Sequence, residues 1–253
     1  MIVFFEVSVL LAASIFVTKT IEHKKYSESK GLVNKSKNGK IRGITSFAIE
    51  KEAERMLETA LKRTIEDGET IFIDRKTIFE QLSTILDTVQ RNLNDSIASL
   101  DRLKINQQEV TEITDKEVYP MYEKLYTAKI EAKKPTMPFT TSRKFIGVAR
   151  DVYRESTVRF RGLMKQLDKK SIVPDEKDLR ILAEAISLKR NNFKKDTFYI
   201  ASLDNHFCGK REPYEAIPGE IERKFEIKCR LPIEILANIE TELGEFPKAK
   251  VKV

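Results

Sequence analysis

The stretch from Ser171 to Phe207 constrains the fold most, because it pairs a helix opened by acids with an apolar strand that ends on another acid. Pro174 and Asp175 stand where a helix begins, and carboxylates are favoured in a first turn because they face the positive end of the helix dipole. Ile181, Leu182, Ala185, Ile186 and Leu188 recur at helical spacing and predict one buried face. Thr197 to Leu203 is a compact apolar, β-branched and aromatic run between polar residues, the pattern of a buried strand. Asp178 then opens a helix, and Asp204 follows the C-terminal end of a strand. In an open α/β sheet both places face the crevice where ligands bind. Two carboxylates there repel unless a cation lies between them, so the pattern points to a divalent-metal site. On these residues alone, a helix cap at Asp178 and a turn at Asp204 account for it equally well.

A chain of 253 residues, 41% hydrophobic and 34% charged, can bury a sizeable core, which argues against wholesale disorder. Its length accommodates one large domain or one domain with a long insertion. Forty-six Lys and Arg against 39 Asp and Glu leave a net charge of +7, which favours a polyanionic partner. Cys208 and Cys229 are the only cysteines, too few for a disulfide framework and without metal-ligand spacing, so a reducing compartment, the cytoplasm, is expected.

The opening MIVFFEVSVLLAASIFV has the look of a targeting segment, and Ala12-Ala13-Ser14 offers a small-residue cleavage site. Against that, it lacks a positive n-region, Glu6 interrupts it, and it barely reaches the ~17–25 residues that cross a bilayer. The expectation is a soluble chain in which Ile2–Phe5 form a buried strand, followed by a turn and an apolar helix. Glu6 then ends that strand at the same edge as Asp204. A carboxylate between apolar segments is costly to bury alone, so Glu6 needs a partner or a metal.

Residues 18–42 are polar and read as a helix end and a loop, with His23 a solvated surface residue beside Lys24 and Lys25. From Ile44 the pattern turns helical: Ser46 is a plausible N-cap, and Phe47, Ile49, Ala53, Met56, Leu57 and Ala60 mark the apolar face. Glu50, Glu52 and Glu54 surround it, and spacing alone does not choose which of them joins an acidic crevice. Ile71–Phe79 reads as a connection into a long amphipathic helix, with apolar steps from Ile78 to Leu103. A second helical stretch, Val110–Ile130, is interrupted by Pro120. A Lys-Pro-Thr-Met-Pro linker spans Lys134–Pro138, and a further helix is expected over Arg143–Leu167. The chain closes with a strand through Phe225, Ile227 and Cys229, a helix opened by Pro232, and a Lys-rich tail from Gly244.

The excess of positive charge is concentrated. Residues 129–170 hold twelve Lys and Arg against four acids, a net +8, so the rest of the chain is close to neutral. Arg143, Lys144, Arg150, Arg154, Arg159 and Arg161 lie here, with Phe145, Tyr153 and Phe160 interspersed. Cations of this kind hold a phosphate backbone, and a neighbouring acidic metal crevice would complete a nuclease. The alternative is an ordinary solvated charged face.

Five pieces occur in a set order: FFEVSVLLAA (Phe4–Ala13), ITSFAIEKEAERML (Ile44–Leu57), DLRILAEA (Asp178–Ala185), YIASLDNHF (Tyr199–Phe207) and FEIKCRLPIEIL behind them. In that order they resemble the PIN domain family of metal-dependent nucleases. The resemblance covers roughly residues 1–60 and 171–240. It implies an α/β fold, a PIN-like central parallel sheet flanked by helices. Residues 1–60 and 171–253 would form one discontinuous domain, with 61–170 a large all-helical insertion placing basic helices over the crevice.

Carried over by position, the family's acidic cluster falls on Glu6, Glu52, Asp178 and Asp204, with Glu52 preferred to Glu50 by phase. Ser8 and Ser202 match the small hydroxyl positions that steady the acids, and Asp175 is an accessory acid. The family usually has Asp where this chain has Glu6, and the extra methylene shifts the carboxylate in a site that tolerates little displacement. The activity implied is hydrolysis of a phosphodiester by a metal-activated water, with single-stranded RNA the expected substrate and DNA the alternative, since this chemistry does not require a 2′-OH. Glu6, Asp178 and Asp204 would hold Mg²⁺ or Mn²⁺, and Glu52 would complete the site. A degenerate PIN-like module that binds RNA or a protein without cutting, and a toxin neutralised by an antitoxin, are the alternatives. A homodimer is compatible with either. No P-loop or dinucleotide fingerprint is present, and neither histidine lies in a metal-ligand motif.

Overall fold

The computed structural model describes residues 1–15, 24–69, 75–132, 174–209 and 214–242. The expected helix at Arg143–Leu167, the linker before it, His23 and the tail from Gly244 lie outside these residues. So do all six basic residues named above. The chain is mixed α/β, with five parallel strands in one sheet in the order β3-β2-β1-β4-β5. Among the described residues, no helix is long and apolar enough to cross a membrane. The chain divides into two compact units. The first holds the described residues of Met1–Lys104, Phe193–Leu203 and Ile227–Val253, and the second those of Ile105–Asn192 and Asp204–Glu226.

The first unit contains the sheet. β1 (Ile2–Phe5) lies at its centre, pairing with β2 (Arg42–Thr45) on one side and β4 (Phe198–Ala201) on the other. All eight residues of β1 and β4 are buried, as unbroken apolar strands covered on both faces should be. Each large side chain so buried contributes roughly 1.5–3 kcal/mol. The Phe4 and Phe198 rings stand 6.4 Å apart, and Phe193 adds a third ring 6.0 Å from Phe198. Parallel neighbours need crossover connections, and α1 (Val7–Ile15), α2 (Lys24–Lys37), α3 (Phe47–Glu69) and α4 (Arg75–Ala98) supply them along β1, β2 and β3 (Asp101–Arg102). On the opposite edge β5 (Ile227–Arg230) pairs with β4, and α10 (Pro232–Glu242) follows it.

Several boundaries differ from the sequence-based expectations, each for a local reason. Within residues 18–42, Lys24–Lys37 is helical: Leu32, Val33 and Ser29 make a buried stripe too narrow to register among so many polar residues. β2 falls where the pattern reads as the start of a helix, and β3 where it reads as the end of a long one. Four residues with a glycine, and two charged residues, carry no alternation that would mark a strand. β3 therefore takes the sheet into the stretch expected to be all-helical. Gly43 in β2 has a packing reason, since a Cβ there would collide with Ser36 Oγ, Leu100 Cδ2 and the Phe5 ring. Phe225 ends a helix rather than opening β5, because Glu226 adopts a left-handed conformation (φ 57°) and breaks the chain between them.

The second unit is helical. α5 (Gln107–Ile113) is capped by Asn106, whose side chain accepts from the Gln108 and Glu109 amides. It runs through a π-helical turn at Thr114–Val118 into α6 (Tyr119–Ala132). Pro120 accounts for this turn. It cannot donate a backbone hydrogen bond, and its ring crowds the carbonyl one turn back, so the helix widens instead of stopping. α7 (Glu176–Asn191) is buried from Leu179 to Lys189 apart from Arg180, well beyond the single face expected from its spacing. At its far end Arg190 grips Glu117 of the π turn through two bonds of 2.6 and 2.7 Å. This interaction holds the Glu117 carboxyl below its ordinary range. The Arg190 guanidinium also lies 6.0 Å from the Phe225 ring at the end of α9 (Ile217–Phe225).

Candidate metal centre

In the first unit Glu6 follows β1 directly, and it is 5% exposed. Strand order reverses between β1 and β4, and ligands of open parallel sheets bind beyond the C-terminal ends of the strands at such a switch point. The Glu6 amide donates to the Ala201 carbonyl, which extends the β1–β4 pairing by one step. Its Oε2 accepts from the Ser8 amide (3.0 Å), from the Ser8 hydroxyl, and from the Ser202 hydroxyl (3.1 Å). Ser8 Oγ in turn accepts from the Leu203 amide at 2.9 Å. Ser8 and Ser202 thus fix this carboxylate with donors that satisfy its charge.

Two glutamates of α3 in the same unit differ sharply. Glu52 is engaged by the Arg55 guanidinium at 2.7 and 2.9 Å, an i,i+3 pair along the helix surface. Glu50 lies in the first turn, with its side chain 14% exposed, and Arg102 Nε stands 3.1 Å from its Oε2. The preference for Glu52 rests on the phase that the resemblance implies; the Glu50 side chain is 14% exposed and that of Glu52 20%.

The second unit brings together Asp178, Asp204 and His206, with one ligand-type atom of each within 4.8 Å of the others. Asp175 is the N-cap of α7, its carboxylate accepting from the Lys177 and Asp178 amides at 3.0 Å each. It therefore acts as a positioning group that holds Asp178 in the first turn. Asp204 is itself the cap of the short α8 (Asn205–Cys208) and accepts from the His206 amide at 2.7 Å. His206 is held from behind as well: the Tyr122 hydroxyl donates to its carbonyl at 2.7 Å, and the Tyr214 ring meets the imidazole edge-on at 5.4 Å.

His206 Nδ1 stands 3.3 Å from Asp178 Oδ2 and 3.1 Å from Asp204 Oδ1. Neither oxygen lies on the line of an Nδ1–H, so this buried nitrogen is close to two carboxylates without a well-formed hydrogen bond. Burial works against a charged imidazole, but the two carboxylates outweigh it and raise the His206 pKa to about 9. Burial raises Asp178, helped by the charges of Asp175 and Asp204 and opposed by His206. Asp204 is also opposed by burial, yet the side chain and amide of His206 bring it below its ordinary value. At neutral pH the His206 imidazolium is therefore the positive charge that stands between the two carboxylates.

The donor set is two carboxylate oxygens and one imidazole nitrogen. Mg²⁺ favours an all-oxygen shell, whereas Mn²⁺ and other first-row ions accept a nitrogen as well. These residues are of types that can hold a divalent cation. Sequence reasoning misses His206, since neither histidine lies in a metal-ligand motif. The available signal is Asp-Asn-His separated by two residues from a buried strand, a spacing that folds an acid and an imidazole onto one short helical turn. No family model matches the chain, and no curated protein or solved structure matches it.

Proposed function

We propose that this protein is a metal-dependent nuclease of PIN type that hydrolyses phosphodiester bonds in single-stranded RNA. The observation that carries the reading is the approach of Asp178, Asp204 and His206, whose ligand-type atoms all lie within 4.8 Å of one another. The all-parallel sheet, with Glu6 at its switch point, supports the PIN-like architecture, and the reading keeps Glu6 as the acid that the resemblance assigns to this chemistry. Asp178 and Asp204 would hold the ion with His206 Nδ1, Asp175 would keep Asp178 in place, and Tyr122 would keep the His206 turn in place. A bound divalent cation supplies an acidified water and offsets the charge that builds on the phosphate. The basic stretch 129–170 would hold the RNA backbone on either side of the scissile bond.

Cleavage of labelled single-stranded RNA with Mn²⁺, Mg²⁺ or chelator tests this, with Mn²⁺ binding followed in parallel by calorimetry. Asp178→Asn and Asp204→Asn should each lower cleavage and Mn²⁺ affinity by at least ~100-fold, since loss even of an outer-shell partner costs ~10–100-fold. Wild-type protein that neither binds Mn²⁺ nor cuts RNA would sink the proposal. One observation favours a binding module without catalysis: Glu6 stands where the family usually has Asp, and its Oε2 already accepts from two serines. In a wild type that binds RNA without cutting it, a Glu6→Asp variant that stays inactive under Mn²⁺ would decide for that second reading.

A further inference from the structure

The most exposed large apolar side chain among the described residues is Phe47, at 66%. It opens α3 directly after Ser46, whose hydroxyl caps the helix by accepting from the Ile49 amide, so its backbone is held while its ring faces solvent. This places it beyond the C-terminal end of β2, on the edge of the sheet that carries Glu6. Lys51, one turn on, holds its Nζ 5.4 Å from the ring centroid and 3.4 Å from Glu54 Oε2, an exposed pair from which a phosphate can draw the lysine because its side chain is 60% exposed. Arg102, at the same end of the neighbouring strand, is 54% exposed, with its guanidinium steadied by Glu50. An exposed ring on a rigid element, flanked by cations, is the combination by which proteins hold unpaired bases: the ring stacks the base and the cations take the adjoining phosphates.

We infer that Phe47 and Lys51 form a base-stacking platform that selects single-stranded over duplex RNA, an inference that rests on the nuclease reading for its substrate. A duplex keeps its base faces within its own stack, so it has none to offer the ring. The competing account is a helix-surface pair in which Lys51 covers Phe47 and neither meets a ligand.

The chain has no tryptophan, so Phe47→Trp introduces the only indole and reports directly on stacking. In chelator, where nothing is cut, a short single-stranded RNA should quench its fluorescence saturably. The same sequence as a blunt duplex, and heparin as a polyanion without bases, should not. Phe47→Ala, a change at a solvent-facing position that leaves the core intact, should weaken single-strand binding by roughly tenfold or more by anisotropy. Lys51→Met should reduce the salt dependence by about 0.7 in log–log slope. Unquenched fluorescence at RNA concentrations where anisotropy shows binding overturns the platform, as does equal quenching by heparin. If wild type cleaves and Phe47→Ala binds unchanged, the platform fails and the nuclease reading stands. Quenching without cleavage in any metal upholds the platform and removes the hydrolytic reading.

Discussion

A single imidazole sets the character of the candidate site. Glu6 is satisfied by serine hydroxyls, whereas Asp178 and Asp204 are balanced by a buried nitrogen that makes no well-formed hydrogen bond. If these three groups hold the proposed ion, a nitrogen among oxygens would disfavour Mg²⁺. His206→Asp restores an all-oxygen set, so it should shift the ratio of Mn²⁺ to Mg²⁺ affinity toward Mg²⁺ by at least about tenfold, measured by calorimetry. An unchanged ratio would show that His206 is no ligand. The acids are legible in the sequence because each terminates an element, and an acid at an element end is visible in a linear pattern. The role of His206 is not, because it depends on α7 arriving from elsewhere in the chain.

At the scale of elements, the second unit is held by a clamp between α7 and the π turn. Arg190 binds both oxygens of Glu117, and Lys224 donates to the Glu117 carbonyl at 2.9 Å. The arginine hydrogen bonds lower the Glu117 pKa in the folded state. The sign follows from linkage: the stabilisation is complete above the unfolded value near 4.5 and is lost as pH falls through the lower folded value. Glu117→Gln should therefore lower the urea midpoint at pH 7 and make the wild-type and variant curves converge toward pH 3. Both partners are partly exposed, so the difference should stay below ~1 kcal/mol. A constant offset across that range would show that the pair does not carry it. Pro120 is readable as an interruption. That the helix absorbs it as a π turn is not, since the outcome depends on how firmly both flanks are packed.

Across the whole molecule, charge and chemistry are carried by different parts of the chain. The excess positive charge lies in residues 129–170, while the sheet and the acidic residues come from the remainder. If that stretch holds RNA by its backbone, replacing Arg154, Arg159 and Arg161 with Gln should weaken binding equally for all sequences. The slope of log affinity against log salt should fall by about 0.7 for each phosphate no longer neutralised. Filter binding from 50 to 300 mM salt, on the order of the range where counterion release dominates, measures it. An unaltered slope would return the stretch to an ordinary solvated face.

Linear pattern was enough to place the central strands β1 and β4, the helix α1 that follows β1, and α7. A buried parallel strand must be apolar throughout, and the residue that ends it meets water or a ligand. Pattern was not enough for β2 and β3, whose four and two residues owe their extended form to pairing with β1 and with each other. Nor did it decide between Glu50 and Glu52, which differ by where Arg102 and Arg55 happen to reach. Folding in three dimensions added His206 to Asp178 and Asp204, because the proximity of an imidazole 28 residues from Asp178 is a property of packing and leaves no trace in local spacing.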